Sequence, residues 1–402
     1  MSNESELPDI KVGSLRMWYC YDVGDDINLE AASRRFEARH GQSRPQFQPR
    51  HVQPGFFGFR PRPLRLQKST GEFQVGTFRT NRMAELTLWA GARLSVEYKF
   101  ELPAGTKLSE VTELCAKLEH EPVLELDARA QAGLLVEGDL RGEIDNPKVS
   151  AACEDYAVLV VEEFAREITA EELGAKFGVQ VANFLRQQGQ DARLSGQFVE
   201  DTLYHRFSWS EDLTVVDWNA AFLYGHGLDD VLELLEFNQV QLLGLRYLNS
   251  SLDAQLDVAY GLFENALREI RAHERSRYKW ARWCWQLWLA TCRQIGLLHG
   301  DEEPLESALN KIGMLAVEAR KASGAIRDAI NLIGDPTLYR IHELAAQRFG
   351  FQRLTESIAE QLGELDGIYQ KVHDQKKESR GVFLELIVII LILIEVIHSF
   401  VH

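Results

Sequence analysis

Asp217 and Asn219 stand two residues apart in the apolar run VVDWNAA, Val215 to Ala221. In a strand, residues two apart share a face, so this spacing would set a carboxylate beside an amide on one side of a sheet. Such a pair serves either as a structural hydrogen bond or as a polar site for a ligand, and the structural reading comes first. A second acidic group, Asp22, Asp25 and Asp26 in YDVGDDIN, has the ligand type for a divalent metal. Its Gly and Asn neighbours fit turn and helix N-cap chemistry better. A third stretch, RSRYKWARWCWQLW, interleaves Arg275, Arg277, Lys279 and Arg282 with Tyr278, Trp280, Trp283, Trp285 and Trp288. Basic residues among aromatics can meet RNA, a lipid headgroup layer or a protein partner. At helical spacing, however, Trp280, Cys284 and Trp288 share one face, as a packed helix requires. Core packing is the first reading, a partner or membrane-surface contact the second, and nucleic acid the last.

Familiar catalytic patterns are missing from the sequence. There is no GxxxxGK[ST] phosphate loop, no GxGxxG fingerprint and no GxSxG elbow. His342 and Glu343 begin an HExxH-like string, but Ala346 stands where the second zinc ligand is needed. The histidines are scattered, without a close ligand pair. No catalytic, cofactor or metal residue is assigned, and the chain reads as a non-enzyme.

The chain has 402 residues and a net charge of -16. That length supports two or three domains. The acidic balance argues against broad binding to nucleic acid. Five cysteines, with no Cys-x-x-Cys pair, read as buried thiols in a reducing compartment. The opening MSNESELPDIKVGS lacks a basic segment followed by an apolar one, so no cleavable export signal is expected.

The elements that must position these groups follow from periodicity. LRMWYCYD reads as a strand, DINLEAASRRFEAR as a helix, and residues 41–62 as a proline-rich loop. PLRLQKS, FQVGTF, AELTLWA and ARLSVEYKFEL are strand candidates. In the last, Leu94, Val96, Tyr98 and Phe100 alternate with Ser95, Glu97 and Lys99, as in a half-buried strand. LSEVTELCAKLEH is helical in spacing, and YAVLVVEEF is a buried strand. TAEELGAKFGVQVANFLRQ is a helix with Thr169 as N-cap and Glu172 as capping-box partner. EDLTVVDWNAAFLYG, Glu211 to Gly225, reads as one strand. From about Leu228 strand signals end. Leu245, Leu248, Leu252 and Leu256 open a helical stripe, and Tyr278 to Gln294 is a further helix. GLLHGDEEP is a loop. GDPT is a break, after which Phe351, Ile358, Leu365 and Val372 fall seven apart, with Leu354, Gln361, Ile368 and Gln375 three further on, as in a helix hairpin or weak coiled coil.

The C-terminal tail, RGVFLELIVIILILIEVIHSFVH, is dense in Ile, Leu and Val. Its Val382–Val401 stretch would make a helix of about 30 Å, the thickness of a bilayer's hydrocarbon core. Lys371, Lys376, Lys377 and Arg380 precede it, which places the N-terminal body on the cytoplasmic side of a single span. Glu385 would lie near the headgroups. Glu395, with Ser399 at i+4, would mark a helix–helix contact inside the membrane.

The segment from DPTLYRIHELAAQRFGF through LELIVIILILIEV resembles the end of the required-for-meiotic-nuclear-division family, a domain-of-unknown-function family with mitochondrial and bacterial members. Leu384, Glu385, Ile387, Leu393, Ile394, Glu395 and Val396 carry the likeness, with Leu386 where the family has Trp. The resemblance implies a C-terminal membrane anchor, no catalytic site, and a tethering or scaffolding role. The expected protein is therefore α+β: a mixed sheet-and-helix domain over 1–228, an antiparallel helical domain over 229–380, and a transmembrane anchor over 381–402. Its expected function is that of a membrane-anchored cytoplasmic scaffold or tether, homo-oligomeric, without a cofactor. The alternatives are an enzyme or nucleotide-binding module with its site near Asp22 and Asp217, and an RNA or ribosome tether using the Arg275–Trp288 segment.

Overall fold

The computed structural model describes residues 7–40, 62–187, 194–208, 211–274 and 335–368, with single positions 314, 317 and 370. The fold is α+β, built on a mixed sheet. The chain divides into two compact units, Met1–Tyr247 with Ala322–Leu354, and Leu248–Lys321 with Thr355–His402.

The first unit holds the sheet. Its central strand is β1 (Ile10–Asp22), which pairs antiparallel with β6 (Arg93–Glu101) on one side and β7 (Glu154–Phe164) on the other. β2 (Leu64–Ser69) and β5 (Met83–Trp89) extend the sheet beyond β6. β10 (Ala220–Tyr224), β9 (Leu213–Val216) and β8 (Arg206–Ser208) extend it beyond β7. β7 and β10 run parallel, so the chain between them must cross over. α4 (Ala170–Lys176), α5 (Gly178–Leu185) and α6 (Gly196–Tyr204) lie in that connection. The short hairpin of β3 (Gln74–Val75) and β4 (Phe78–Arg79) replaces the single strand expected for FQVGTF. Gly76, at φ +61, makes the turn in a conformation that favours glycine.

β1 is buried along most of its length because both faces of the sheet are covered. Its odd-numbered residues Leu15, Met17, Tyr19 and Tyr21 join the main core, with residues of α1 (Leu29–His40), α2 (Leu108–His120) and α3 (Val123–Gly133). On the other face Cys20 packs with Trp89, Phe237, Val240 and Leu243. The last three belong to α7 (Asp229–Glu274), whose residues 231–240 are buried without interruption. The expectation of a half-buried β6 therefore fails: Ser95 and Glu97 are buried too. α7 supplies a partner for one of them, since Ser95 donates to Glu236 and Arg65 Nη2 reaches Glu236 at 3.3 Å. The other is met within the sheet. Trp18 lies opposite Glu97 and donates to it at 2.8 Å, and Arg16 reaches its second oxygen at 2.6 Å.

Local sequence rules explain the helix starts. Thr169 accepts from Glu172 N–H at 3.1 Å and caps α4, while the Glu172 side chain turns to Arg166 and Lys176. Asp335 caps α8 (Pro336–Arg348) by accepting from Thr337 and Leu338 N–H at 2.7 and 3.0 Å. Pro336 fits the first helical turn, where no partner for its nitrogen is needed. Gly350, at φ +71, separates α8 from the helical residues 351–368, which we call α9.

In the second unit Ile358 and Leu365, at the seven-residue spacing, are buried. Gln361, at the intervening position, donates to Asp253 of α7 at 2.5 Å, which accounts for a polar residue there. Tyr260 donates to Glu364 at 3.1 Å. The two bonds advance in the same sense along α7 and α9.

The membrane expectation is corrected. Among the described residues no helix is long and apolar enough to cross a membrane. α7, the longest, is interrupted by charge from Asp229, Asp230, Glu233 and Glu236 through to Arg246. The anchor predicted over 381–402, with Glu385, Glu395 and Ser399, lies outside the described residues, and the single-pass placement built on it is not retained.

Candidate functional site

Asp217 sits where β9 turns into β10, rather than inside one strand. The expected strand Glu211–Gly225 folds back as a hairpin, with Ala221 opposite Val216. Asp217 makes the turn: its N–H donates to Ala220 O at 2.9 Å, and its Oδ1 accepts from Trp218 N–H at 2.7 Å. The side chain thus bonds the next backbone N–H at the reversal, a local competition with the ladder that suits Asp to turns. Asn219 is consequently not a face-mate of Asp217, and its Oδ1 is buried without a hydrogen bond.

Three helices bring charge to the turn. Arg186 follows the end of α5, and its Nε lies 2.7 Å from Asp217 Oδ2. Arg348, in the last turn of α8, places its Nε 2.5 Å from Asp217 Oδ1. Asp201 of α6 lies further off, with Oδ2 at 3.5 Å from Arg348 Nη1 and 3.9 Å from Arg186 Nη2. The Asp217 side chain is 0% exposed, while that of Asp201 is 61% exposed. Two arginines on one buried carboxylate compensate the cost of taking its charge out of water.

The surroundings fix this arrangement. The Arg186 guanidinium lies over the Phe198 ring at 4.6 Å. Tyr156 donates to the Asp217 carbonyl at 3.0 Å, and Phe349 meets the Tyr156 ring edge-on at 5.6 Å. Burial, then the Asp217 charge, pushes the Tyr156 hydroxyl well up. Burial, then the Arg348 charge, pushes His205 down. Burial also lowers Arg186, with Asp217 opposing. Around the cluster, Trp218 is 52% exposed and Tyr204 is 75% exposed.

The YDVGDDIN acids are divided among separate tasks. Asn28, not an aspartate, caps α1 by accepting from Ala31 N–H at 3.0 Å. Asp26 accepts from Ile27 N–H at 2.8 Å, and Asn146 donates to Asp25 at 2.6 Å. Asp22 is buried at the end of β1, where desolvation pushes its carboxyl up to about 6 against the charge of Arg93. Among the described residues no group of three or more His, Cys, Asp or Glu could hold a metal ion. Strand order sets Asp22 and Asp217 at the same end of the sheet, on either side of β7, but each is met by its own arginines. His342 is buried, hydrogen-bonds Asn238 at 2.7 Å through Nδ1, and is pushed down to about 4 by burial. Arg275, Arg277, Lys279, Arg282 and Trp280 lie outside the described residues. Arg186 and Arg348 carried no signal in the sequence, since nothing local announces a partner 31 residues away for the one and 131 for the other.

Together these features define an α+β domain whose sheet end is closed by a buried Arg–Asp–Arg cluster, with the exposed Asp201 at its edge. The chain belongs to the family of the N-terminal domain of the uncharacterized protein MJ0711, which residues 12–230 match. No curated protein and no solved structure matches. The resemblance to the meiotic-nuclear-division family is overturned by this assignment. It rested on residues 335–397, with most of its matching positions in the Ile- and Leu-rich end, and the family match falls instead on residues 12–230.

Proposed function

We propose that this protein is a non-enzymatic scaffold or tether that works as an oligomer, and that the Trp218 end of the sheet is its contact surface. The observation that carries the reading is the side chain of Trp218, 52% exposed on a turn whose backbone is pinned by Asp217. Protein interfaces favour Trp, Tyr and Arg at their centres, because large rigid side chains bury much area at small entropic cost. Tyr204 and Phe198 of α6 flank the same cluster, Tyr204 with its ring 5.4 Å from that of His205 and Phe198 beneath Arg186. Light scattering on the full chain across a concentration series tests it. The expected result is a mass of at least two chains, and a single-chain mass throughout would remove the oligomer from the account.

One observation favours a second reading, a ligand-binding or enzymatic module. Asp22 is a buried carboxyl raised to about 6, as general acids are. A survey of nucleotides and metals by NMR with labelled aspartate would support it if the Asp22 carboxyl moved on addition of one of them.

A further inference from the structure

We infer that Arg186 and Arg348 form a binding site for a small oxyanion, a carboxylate or a phosphate, in which the Asp201 side chain is a replaceable stand-in. The inference does not depend on the scaffold role, because it concerns a site within one chain.

The two aspartates at this cluster are held differently. Asp217 is fully buried and meets both Nε atoms, at 2.7 and 2.5 Å. The Arg348 contact is a hydrogen bond, whereas Arg186 Nε meets Oδ2 as an ion pair and directs its N–H to Thr202 Oγ1, so Oδ2 accepts no hydrogen bond. Asp217 thus holds both guanidinium groups through the Nε side, and their Nη sides lie towards Asp201. Asp201 approaches them with one oxygen, 3.5 Å from Arg348 Nη1 and 3.9 Å from Arg186 Nη2. Both distances exceed the 2.7–3.2 Å of a good N–H···O bond, so the pair is charge proximity without hydrogen bonding. A side chain 61% exposed at such distances is held weakly and can rotate into solvent.

With Asp201 turned away, two arginines face one aspartate, and the site carries a net charge of +1 in a chain of net charge -16. Arginine is the residue best suited to carboxylate and phosphate, since its planar fork donates two parallel bonds. Here the forks are held in advance: Arg186 over Phe198, with Thr202 Oγ1 3.4 Å from its Nε and Nη2, and Arg348 at the end of α8. Preorganisation of this kind lowers the entropic cost of binding. An anion with two or more oxygens can bond Nη groups of both arginines, which the single Asp201 oxygen fails to do.

The test is calorimetric titration of the full chain with inorganic phosphate and, separately, with acetate, against chloride at matched ionic strength. Asp201→Asn removes the competing charge without touching Asp217. We expect it to tighten phosphate, acetate or both by about tenfold over the unsubstituted chain. Arg348→Lys in that background, which keeps a positive charge beside Asp217 but loses the fork, should abolish the gain. Asp201→Ala serves as a second variant, and thermal melting verifies that each is folded. Tightening for phosphate alone assigns a phosphate site, and tightening for acetate alone a carboxylate site. If both Asp201 variants are folded and bind neither anion more tightly than the unsubstituted chain, the inference is overturned.

Discussion

Arg348 closes on Asp217 across 131 residues of sequence, Nε to Oδ1 at 2.5 Å, and so ties the last turn of α8 to the β9–β10 turn. Arg186 holds the opposite oxygen at 2.7 Å. The carboxylate is inaccessible to water, and its stability rests on both partners. It also determines where Trp218 stands, because the same Oδ1 accepts the Trp218 N–H.

The first prediction concerns that shared dependence. Arg348→Ala leaves a buried charge with half its compensation and should destabilise the fold by about 3–5 kcal/mol in urea unfolding. Asp217→Ala in the same chain should cost far less than the sum of the two single changes, since each alone leaves the other group uncompensated. Additive costs would show that the pair is not coupled.

The second concerns the central strand. Gly13 lies at the bulge where β1 shifts register against β7, and a Cβ built on it would stand 2.7 Å from the Val160 carbonyl oxygen. That neighbour is backbone and cannot turn aside. Gly13→Ala should therefore destabilise by about 1–3 kcal/mol, whereas Gly71→Ala, which meets nothing within 4 Å, should be close to neutral. Equal thermal midpoints for the two variants would contradict the bulge geometry.

The third concerns pH. His342 falls from 6.5 to about 4 on folding, so the unfolded chain binds the proton more readily. Its contribution is present above about pH 6.5 and is lost as pH falls towards 4. Asp22 rises from 3.8 to about 6, so its contribution is present below 3.8 and is lost as pH rises through 6. Between pH 4 and 6 the two slopes oppose. Asp22→Asn should thus lose stability on acidification more steeply than the unsubstituted chain, and His342→Gln less steeply. Urea midpoints at half-unit steps of pH check this, and parallel curves for all three proteins would refute it.

Much of the sheet was legible because strands carry their own signature. LRMWYCYD and YAVLVVEEF lie in observed strands, AELTLWA overruns β5 by one residue, and LSEVTELCAKLEH matches α2 from Leu108 to His120. What failed were inferences about faces. Ser95 and Glu97 alternate with apolar residues as if exposed, yet the far face is covered by α7, and alternation alone cannot report a second covering layer. Asp217 and Asn219 were read as one face because an apolar run hides a reversal when its turn residue is a single aspartate. The cluster itself was half legible: Asp217 stands out as polar in an apolar setting, while Arg186 and Arg348 carry no local sign of their shared partner. The tail taught the reverse lesson. An apolar run suggested a membrane span and a family, whereas the family is carried by the sheet domain.

The most direct test of the account is sedimentation velocity on the full chain beside Trp218→Ala. Trp218 is half exposed on a pinned turn, so its truncation should leave the melting temperature within about 2 °C while removing contact area from the surface that joins copies. An oligomer is expected for the unsubstituted chain and a shift to monomer for the variant at the same concentration. An unchanged oligomer in a correctly folded Trp218→Ala chain would contradict the assignment of that surface.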